Sequence, residues 1–322
     1  MATPANIMLL DFEAPIAELA TKIDELRRIA GTPPDEEIIE KVEKLDAEMQ
    51  VSIKKIYDGL SYWQTTQVAR HPQRPLFLDY VANIFTDFIE LHGDRNFADD
   101  GSTVCGTAKL DGKSVIIVGQ QKGRSMEENI KRNFGMPNPE AYRKAMRLMK
   151  MAEKFGKPII TFIDTPGAYP GMGGEERGQA EAIARNLMEM SVLRVPVIAC
   201  IIGEGGSGGA LGIGVANRVL MMQYAIYSVI SPESCASILW RDSTKKVEAA
   251  NSLKNGASDA KRLGIIDEII PEPLGGAQRG HDEATRNLKA AILRHLADLT
   301  RMQPEALKDD RWHKFERMGV TA

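Results

Sequence analysis

The chain has little with which to do side-chain chemistry. Its 322 residues include five histidines, with no HExxH zinc motif, no GxSxG elbow and no paired His and Asp near a candidate serine. Cys105, Cys200 and Cys235 are far apart and form no CxxC, which excludes a zinc ribbon and a disulfide framework. No apolar run approaches a membrane span and no signal-peptide pattern is present, so a cytoplasmic protein is expected. The net charge of −3 supplies neither the basic surface of a nucleic-acid binder nor an acidic tail.

What the chain does have is a concentration of glycine. Val197–Ile202 is an apolar, β-branched run that reads as a buried strand. It breaks into Gly203-Glu204-Gly205-Gly206-Ser207-Gly208-Gly209, after which Ala210, Leu211, Ile213 and Val215 read as a short buried helix. A strand that enters a helix through such a turn leaves N–H groups unpaired at the helix start and aims them at one point. Without Cβ atoms a ligand can approach that backbone closely. The residues suggest a hole for negative charge built from main-chain amides, and leave open whether a phosphate, an oxyanion or nothing fills it. Gly203, Gly205 and Gly208 match a dinucleotide fingerprint formally, but the next strand, Val219–Gln223, lacks the acid that would hold a ribose. Close helix–strand packing alone would need fewer glycines.

The rest of the chain organises around this stretch. Ile16, Leu19, Ile23 and Leu26, then Ile38, Val42, Leu45, Met49 and Ile53, recur at helical spacing on either side of Gly31-Thr32-Pro33-Pro34, with Asp35 as a cap. An N-terminal helical hairpin arm is expected, packed on the main domain or a partner, or else solvated. His71–Pro75 reads as a stiff linker, giving an arm and linker over 1–75 and a main domain over 76–322. Asp79–Leu91 reads as one helix, and Val104–Leu110 and Ser114–Gly119 as a hairpin turning at Asp111-Gly112. Lys122, Arg124, Lys131 and Arg132 form either a solvated loop or a basic rim for a phosphorylated ligand. A buried strand, Lys157–Asp164, enters Thr165-Pro166-Gly167-Ala168-Tyr169-Pro170-Gly171 and one helix over Glu175–Leu193. Glu233, behind the cap Ser231 and Pro232, is either a general base or a first-turn acid favoured by the helix dipole. Ala284–Leu299 closes the domain, and the last twenty residues are expected to pack peripherally.

Strand, glycine-bearing loop and helix thus occur twice, and ligands gather at such strand ends in α/β folds. With no side-chain constellation in sight, catalysis would rest on oriented amides stabilising charge that develops on an oxygen, as in thioester enolates.

Several long motifs, in order, carry a resemblance. Arg70-His-Pro-Gln-Arg-Pro75, Arg132-Asn-Phe-Gly-Met-Pro137, Phe162-Ile-Asp-Thr-Pro-Gly-Ala-Tyr-Pro-Gly171, Glu175-Glu-Arg-Gly178, Gly203–Ala210, Tyr227-Ser-Val-Ile-Ser-Pro-Glu233 and Ile269-Ile-Pro-Glu-Pro-Leu-Gly-Gly276 resemble the carboxyltransferase α-subunit family of bacterial acetyl-CoA carboxylase. The resemblance implies a crotonase-like α/β fold, a spiral of ββα units carrying the arm. It implies transfer of a carboxyl group from carboxybiotin, on the biotin carboxyl carrier protein, to acetyl-CoA, with biotin carboxylase in the full complex. It implies an α₂β₂ assembly whose β subunit carries zinc, with no metal in this chain. By similarity, amides around Gly205, Gly206, Gly208 and Gly209 serve the biotin oxygen, and Thr165, Pro166, Gly167, Ala168, Tyr169, Pro170 and Gly171 form the facing wall. Two rivals remain: a stand-alone acyl-CoA hydratase, isomerase or hydrolase using Glu233, and a nucleic-acid-binding regulator using the basic loop.

Overall fold

The computed structural model describes residues 7–30 and 35–319. The apolar seams close α1 (Ala14–Ile29) on α2 (Glu36–Asp58), burying Ile16 and Ile23 with Met49, Ile53 and Tyr57. The Asp35 side chain accepts from the Glu37 N–H and caps α2, while the Gly31–Pro34 break lies outside the described residues. α3 (Tyr62–Ala69) follows. The arm is docked, not solvated all round. Tyr57 and Arg279 donate to the same Glu13 oxygen at 3.1 and 2.7 Å, and the Tyr57 ring meets Tyr224 edge-on at 5.3 Å.

The segment read as a stiff linker is also a pin. Arg74, between its two prolines, is buried, donates to the Ile202 carbonyl at 2.8 Å and grips both Glu272 oxygens at 2.7 and 2.5 Å. The helix read through Leu91 stops early. α4 (Phe77–Ile84) ends where Phe85 becomes extended, and β1 (Thr86–Glu90) joins the sheet edge. Sheet pairing there overrides the local helical period.

β2 (Thr103–Leu110) and β3 (Lys113–Gln120) form the expected hairpin, with positive φ at both Asp111 and Gly112. Then come α5 (Met126–Lys131), α6 (Pro139–Lys154) and β4 (Ile159–Thr165). The single helix read over Glu175–Leu193 is two, α7 (Met172–Glu176) and α8 (Gln179–Ser191), because Gly178 takes φ 81° between them. β5 (Val197–Gly206), α9 (Ser207–Leu211), β6 (Arg218–Met222), β7 (Ile226–Ser228) and α10 (Pro232–Trp240) follow. α11 (Lys246–Leu253), α12 (Ala257–Arg262), β8 (Glu268–Ile270), α13 (His281–Leu299) and α14 (Pro304–Glu316) complete the chain.

The sheet runs β1-β2-β3-β4-β5-β6-β8, antiparallel as far as β3 and parallel beyond it. It forks along β5, whose first half (Ile198–Ile201) pairs β6 and whose end (Glu204–Gly206) pairs β7. β4 and β5 are buried along their whole length, which is why both read as continuous apolar runs.

The C-terminal segment is less peripheral than its polarity implied. Arg311 on α14 is fully buried and donates to the carbonyls of Met190, Leu193 and Val195 at 2.7, 2.9 and 3.1 Å and to Asn217 Oδ1 at 2.7 Å. It satisfies the backbone of the turn between α8 and β5, which has no secondary-structure partner of its own.

Candidate active site

β4 and β5 are parallel neighbours, in register from Ile159 opposite Val197 to Ile163 opposite Ile201 and, past a register shift, Thr165 opposite Gly205, so they deliver their two loops to one place. The 165–171 loop then lies directly on the start of α9. A Cβ on Gly206 would sit 2.2 Å from the Pro166 carbonyl oxygen, and one on Gly209 would sit 2.5 Å from the Ala168 nitrogen. These two glycines are therefore demanded by backbone-to-backbone contact. Gly205 is close to the Tyr227 ring, 2.8 Å from where its Cβ would be.

Gly208 is different. A Cβ there would meet only Ile183, at 3.7 Å, an ordinary contact. It lines a mostly apolar cavity of about 520 Å³ together with Ser207, Leu211, Tyr227, Val229 and Phe315. As the first three positions of α9, Ser207, Gly208 and Gly209 have no acceptor one turn back. No turn, loop, cap or side-chain hydrogen bond among the described residues takes their N–H groups.

The facing loop is held from behind. The Tyr169 N–H donates to the Pro137 carbonyl at 3.0 Å, and Gln179 Nε2 donates to the carbonyls of Pro137 and Tyr169 at 2.8 and 2.9 Å. Thr165 Oγ1 donates to the Gly167 carbonyl and accepts from its N–H. The half-buried Tyr169 ring folds over Gly171. Thus Thr165, Pro166, Gly167 and Ala168 are brought against Gly205, Gly206 and Gly209, while Tyr169, Pro170 and Gly171 continue the loop beyond them and Gly208 faces Ile183.

Sequence reasoning missed the opposite side of α9. Its carbonyls, and those just beyond, are taken by four buried side chains from four elements. Gln120 Nε2 donates to the Gly209 carbonyl at 2.7 Å and Tyr142 Oη to the same oxygen at 3.3 Å. Asn186 Nδ2 reaches the Gly212 carbonyl at 2.9 Å, and Thr161 Oγ1 the Ile213 carbonyl at 2.8 Å. Each of the four side chains lies in a residue no more than 1% exposed. The only signal available was their polarity within otherwise apolar strands and helix faces.

A charge network underlies the two loops. Arg70 donates to Glu204 Oε1 through Nε and Nη2 at 2.9 and 2.6 Å, and to Glu233 Oε1 at 2.7 Å. Lys122 Nζ donates to Asp164 Oδ1 at 2.7 Å and lies 3.6 Å from Glu204 Oε2. The Glu204 N–H closes the ring on Asp164 Oδ1 at 3.0 Å. Burial pushes the Glu204 carboxyl up, but Lys122 and Arg70 outweigh it and hold it below its usual range. Burial likewise opposes the Lys122 charge, and Asp164 and Glu204 overcome it, raising the ammonium pKa.

This narrows the basic-rim reading, since of its four cations only Arg124 and Lys131 are exposed. Lys122 is turned inward, Arg124 pairs with Asp79, and Arg132 donates to the Gly101 carbonyl. Glu233 stands in the first turn of α10 with one oxygen committed to Arg70. Among the described residues, no cluster of three His, Cys, Asp or Glu side chains could hold a metal ion. Nor is any described helix long and apolar enough to cross a membrane.

Comparison with known proteins places this geometry. Residues 9–319 match the family model described as acetyl co-enzyme A carboxylase carboxyltransferase-like. The acetyl-coenzyme A carboxylase carboxyl transferase subunit alpha of Geobacter metallireducens is 58% identical over 96% of this chain and 97% of its own length. That of Vibrio cholerae is 55% identical over 98% of this chain and 99% of its own. Among solved structures, a transcarboxylase 12S chain superposes with TM-score 0.55 at 23% identity, over 70% of this chain and 42% of that one. The β subunit of Pseudomonas aeruginosa geranyl-CoA carboxylase gives 0.54 at 16% identity, over 76% and 46%. A Pseudomonas malonate decarboxylase hetero-tetramer chain gives 0.54 at 18% identity, over 62% and 81%. These likenesses show the fold, a crotonase-like α/β architecture. By the match along nearly its whole length, the chain belongs to the acetyl-CoA carboxylase carboxyltransferase family, on its alpha-subunit branch.

Proposed function

We propose that this chain is the α half of a two-subunit carboxyltransferase that passes a carboxyl group from carboxybiotin to acetyl-CoA, giving malonyl-CoA for fatty-acid synthesis. The observation that carries the proposal is the family match, which spans both loops of the site. The implied partners are a zinc-bearing β subunit in an α₂β₂ assembly, the biotin carboxyl carrier protein and biotin carboxylase. Exposed apolar side chains, Val229 at the cavity and Ile238 and Leu239 on α10, suit burial by a partner subunit. Three buried free cysteines suit the reducing cytoplasm.

Carboxybiotin, when bound, supplies an activated carboxyl group. The residues present fit it at Gly208, where the backbone is approachable and the cavity is open. Within the turn, Gly206 and Gly209 let the two loops meet, Gly205 makes room for the Tyr227 ring, and the N–H groups of Gly208 and Gly209 receive the oxygen on which charge develops. Such donors are fixed before the reaction, so no reorganisation is needed as the charge grows. The 165–171 loop, with Tyr169, forms the opposite wall and excludes water. The thioester oxygen falls to the β subunit.

The rival hydratase would use Glu233 as its base, and there Oε1 is held by Arg70 while Oε2 is buried without a partner among the described residues. The nucleic-acid reading needs several free cations in the 122–132 loop, and Lys122 and Arg132 are held inward while Arg124 pairs with Asp79, leaving Lys131 exposed. The test is co-purification with the β subunit followed by malonyl-CoA:biocytin exchange. Exchange by the wild-type pair that Gly208→Val lowers about 10²–10³-fold supports the reading. Full activity of Gly208→Val would remove the amide assignment, and enoyl-CoA hydration by the chain alone would restore the rival.

A further inference from the structure

Gln120 is a side chain that hydrogen-bonds to both sides of the site. Its Oε1 accepts from the Asp164 N–H at 3.1 Å, at the exit of β4, and its Nε2 donates to the Gly209 carbonyl at 2.7 Å, in α9. It stands at the end of β3, 1% exposed, so neither bond is shared with bulk water. The 165–171 loop begins one residue after Asp164, and the unpaired N–H groups of α9 end at Gly209. A single planar amide therefore ties the exit of β4 to α9. Tyr142 supports the same Gly209 oxygen from α6 but reaches nothing on β4.

We propose that Gln120 is a positioning residue for carboxyl transfer, an amide strut that holds the α9 N–H groups in register with the 165–171 loop. This rests on the carboxyltransferase reading. The strut needs an acceptor at one end and a donor at the other, and an uncharged planar amide supplies both at neutral pH. A misplacement of about 1 Å at such a site is worth about 10²-fold in rate.

The chemistry gives a specific test with Gln120→Leu and Gln120→Glu in the complex with the β subunit. Leucine removes both bonds. Glutamate keeps the shape and the acceptor toward Asp164, but when ionised it presents an oxygen to the Gly209 carbonyl and repels it. When protonated, its O–H donates to Gly209 while the other oxygen still accepts from Asp164, and the strut is restored. Burial and the carboxylates of Asp164 and Glu204 raise that group's pKa, Lys122 and Arg70 oppose them, and the neutral Tyr142 hydroxyl faces it from α6.

The expected result in malonyl-CoA:biocytin exchange is a kcat about 10²-fold lower for Gln120→Leu, with KM for malonyl-CoA little changed. Gln120→Glu should regain kcat relative to wild type as the pH is lowered. Melting temperature is followed in parallel. A kcat defect in Gln120→Glu that is independent of pH, or wild-type kcat in Gln120→Leu, overturns the strut. An inactive wild-type complex overturns instead the carboxyltransferase reading on which it rests.

Discussion

At the residue scale, the glycines of the 203–209 turn are not equivalent, and their sequence spacing could not reveal it. Gly206→Val puts a Cβ against the Pro166 carbonyl, 2.2 Å away, so it is expected to displace the 165–171 loop and lower the melting temperature as well as activity. Gly208→Val meets only Ile183 at ordinary contact distance, so its melting temperature should stay near wild type while exchange is lost. Thermal denaturation of the two variants side by side separates them. The glycine cluster itself was legible because five glycines in seven residues are costly in a strand-to-helix turn. Which glycine faces solvent and which faces another backbone depends on a loop forty residues earlier, and no local pattern encodes that. Gln120, Thr161, Asn186 and Tyr142 were invisible for the same reason: each serves an acceptor supplied by a distant part of the chain.

At the scale of elements, the arm and the segment after it were read correctly in outline and underestimated in attachment. The hairpin followed from the apolar seams, and the Asp35 cap from its position before two glutamates. The docking of His71 could not be read. Its Nε2 donates to the Met8 carbonyl at 2.7 Å while its Nδ1 accepts from the Gln73 N–H at 3.1 Å, a pair of roles only the neutral ring can fill. Burial lowers its pKa from 6.5, outweighing the Met8 carbonyl and the Glu13 charge. Its folded value therefore lies below the unfolded one, so its contribution is complete above pH 6.5 and is lost as the pH falls from there through the lowered folded value. The segment before α1 should loosen on mild acidification. Limited proteolysis at residues 7–10, at pH about 7.5 and about 5.5, checks this, and His71→Phe should abolish the pH dependence. At the other end of the chain, Arg311→Met should cost about 3 kcal/mol or more, because several buried carbonyls of the α8–β5 turn lose a charged donor at once. Urea denaturation measures it. The low apolar content of α14 hid this anchor.

For the whole molecule, the parallel half of the sheet was legible because β4 and β5 are buried on both faces and spell continuous apolar runs. The antiparallel edge was only partly legible. The hairpin turn was written in Asp111-Gly112, but β1 was concealed beneath a helical period and is strand because the sheet edge needed pairing. Acid stability is a property at this scale too. Glu204, Glu268 and the neighbouring Asp94 and Asp99 sit in three parts of the molecule. For each, burial raises the pKa, but paired cations and hydrogen bonds outweigh it and hold the carboxyl below its ordinary range. Each contribution is complete above the ordinary value, 4.5 for the two glutamates and 3.8 for the two aspartates, and is lost as the pH falls through the lowered folded values. Melting temperature should therefore fall steeply below about pH 4.5, and less steeply in Glu204→Gln, which no longer has that proton to take up.

Because two main chains are stacked in direct contact at Gly206 and Gly209, the narrow dimension of the cleft has no side chain to adjust. Variation or engineering can change what the enzyme admits from the side of Gly208, which looks toward Ile183 and lines the cavity with Leu211, Tyr227 and Val229. Position 183, in the middle of α8 and outside every motif quoted for the family, becomes the natural place to broaden or restrict that opening.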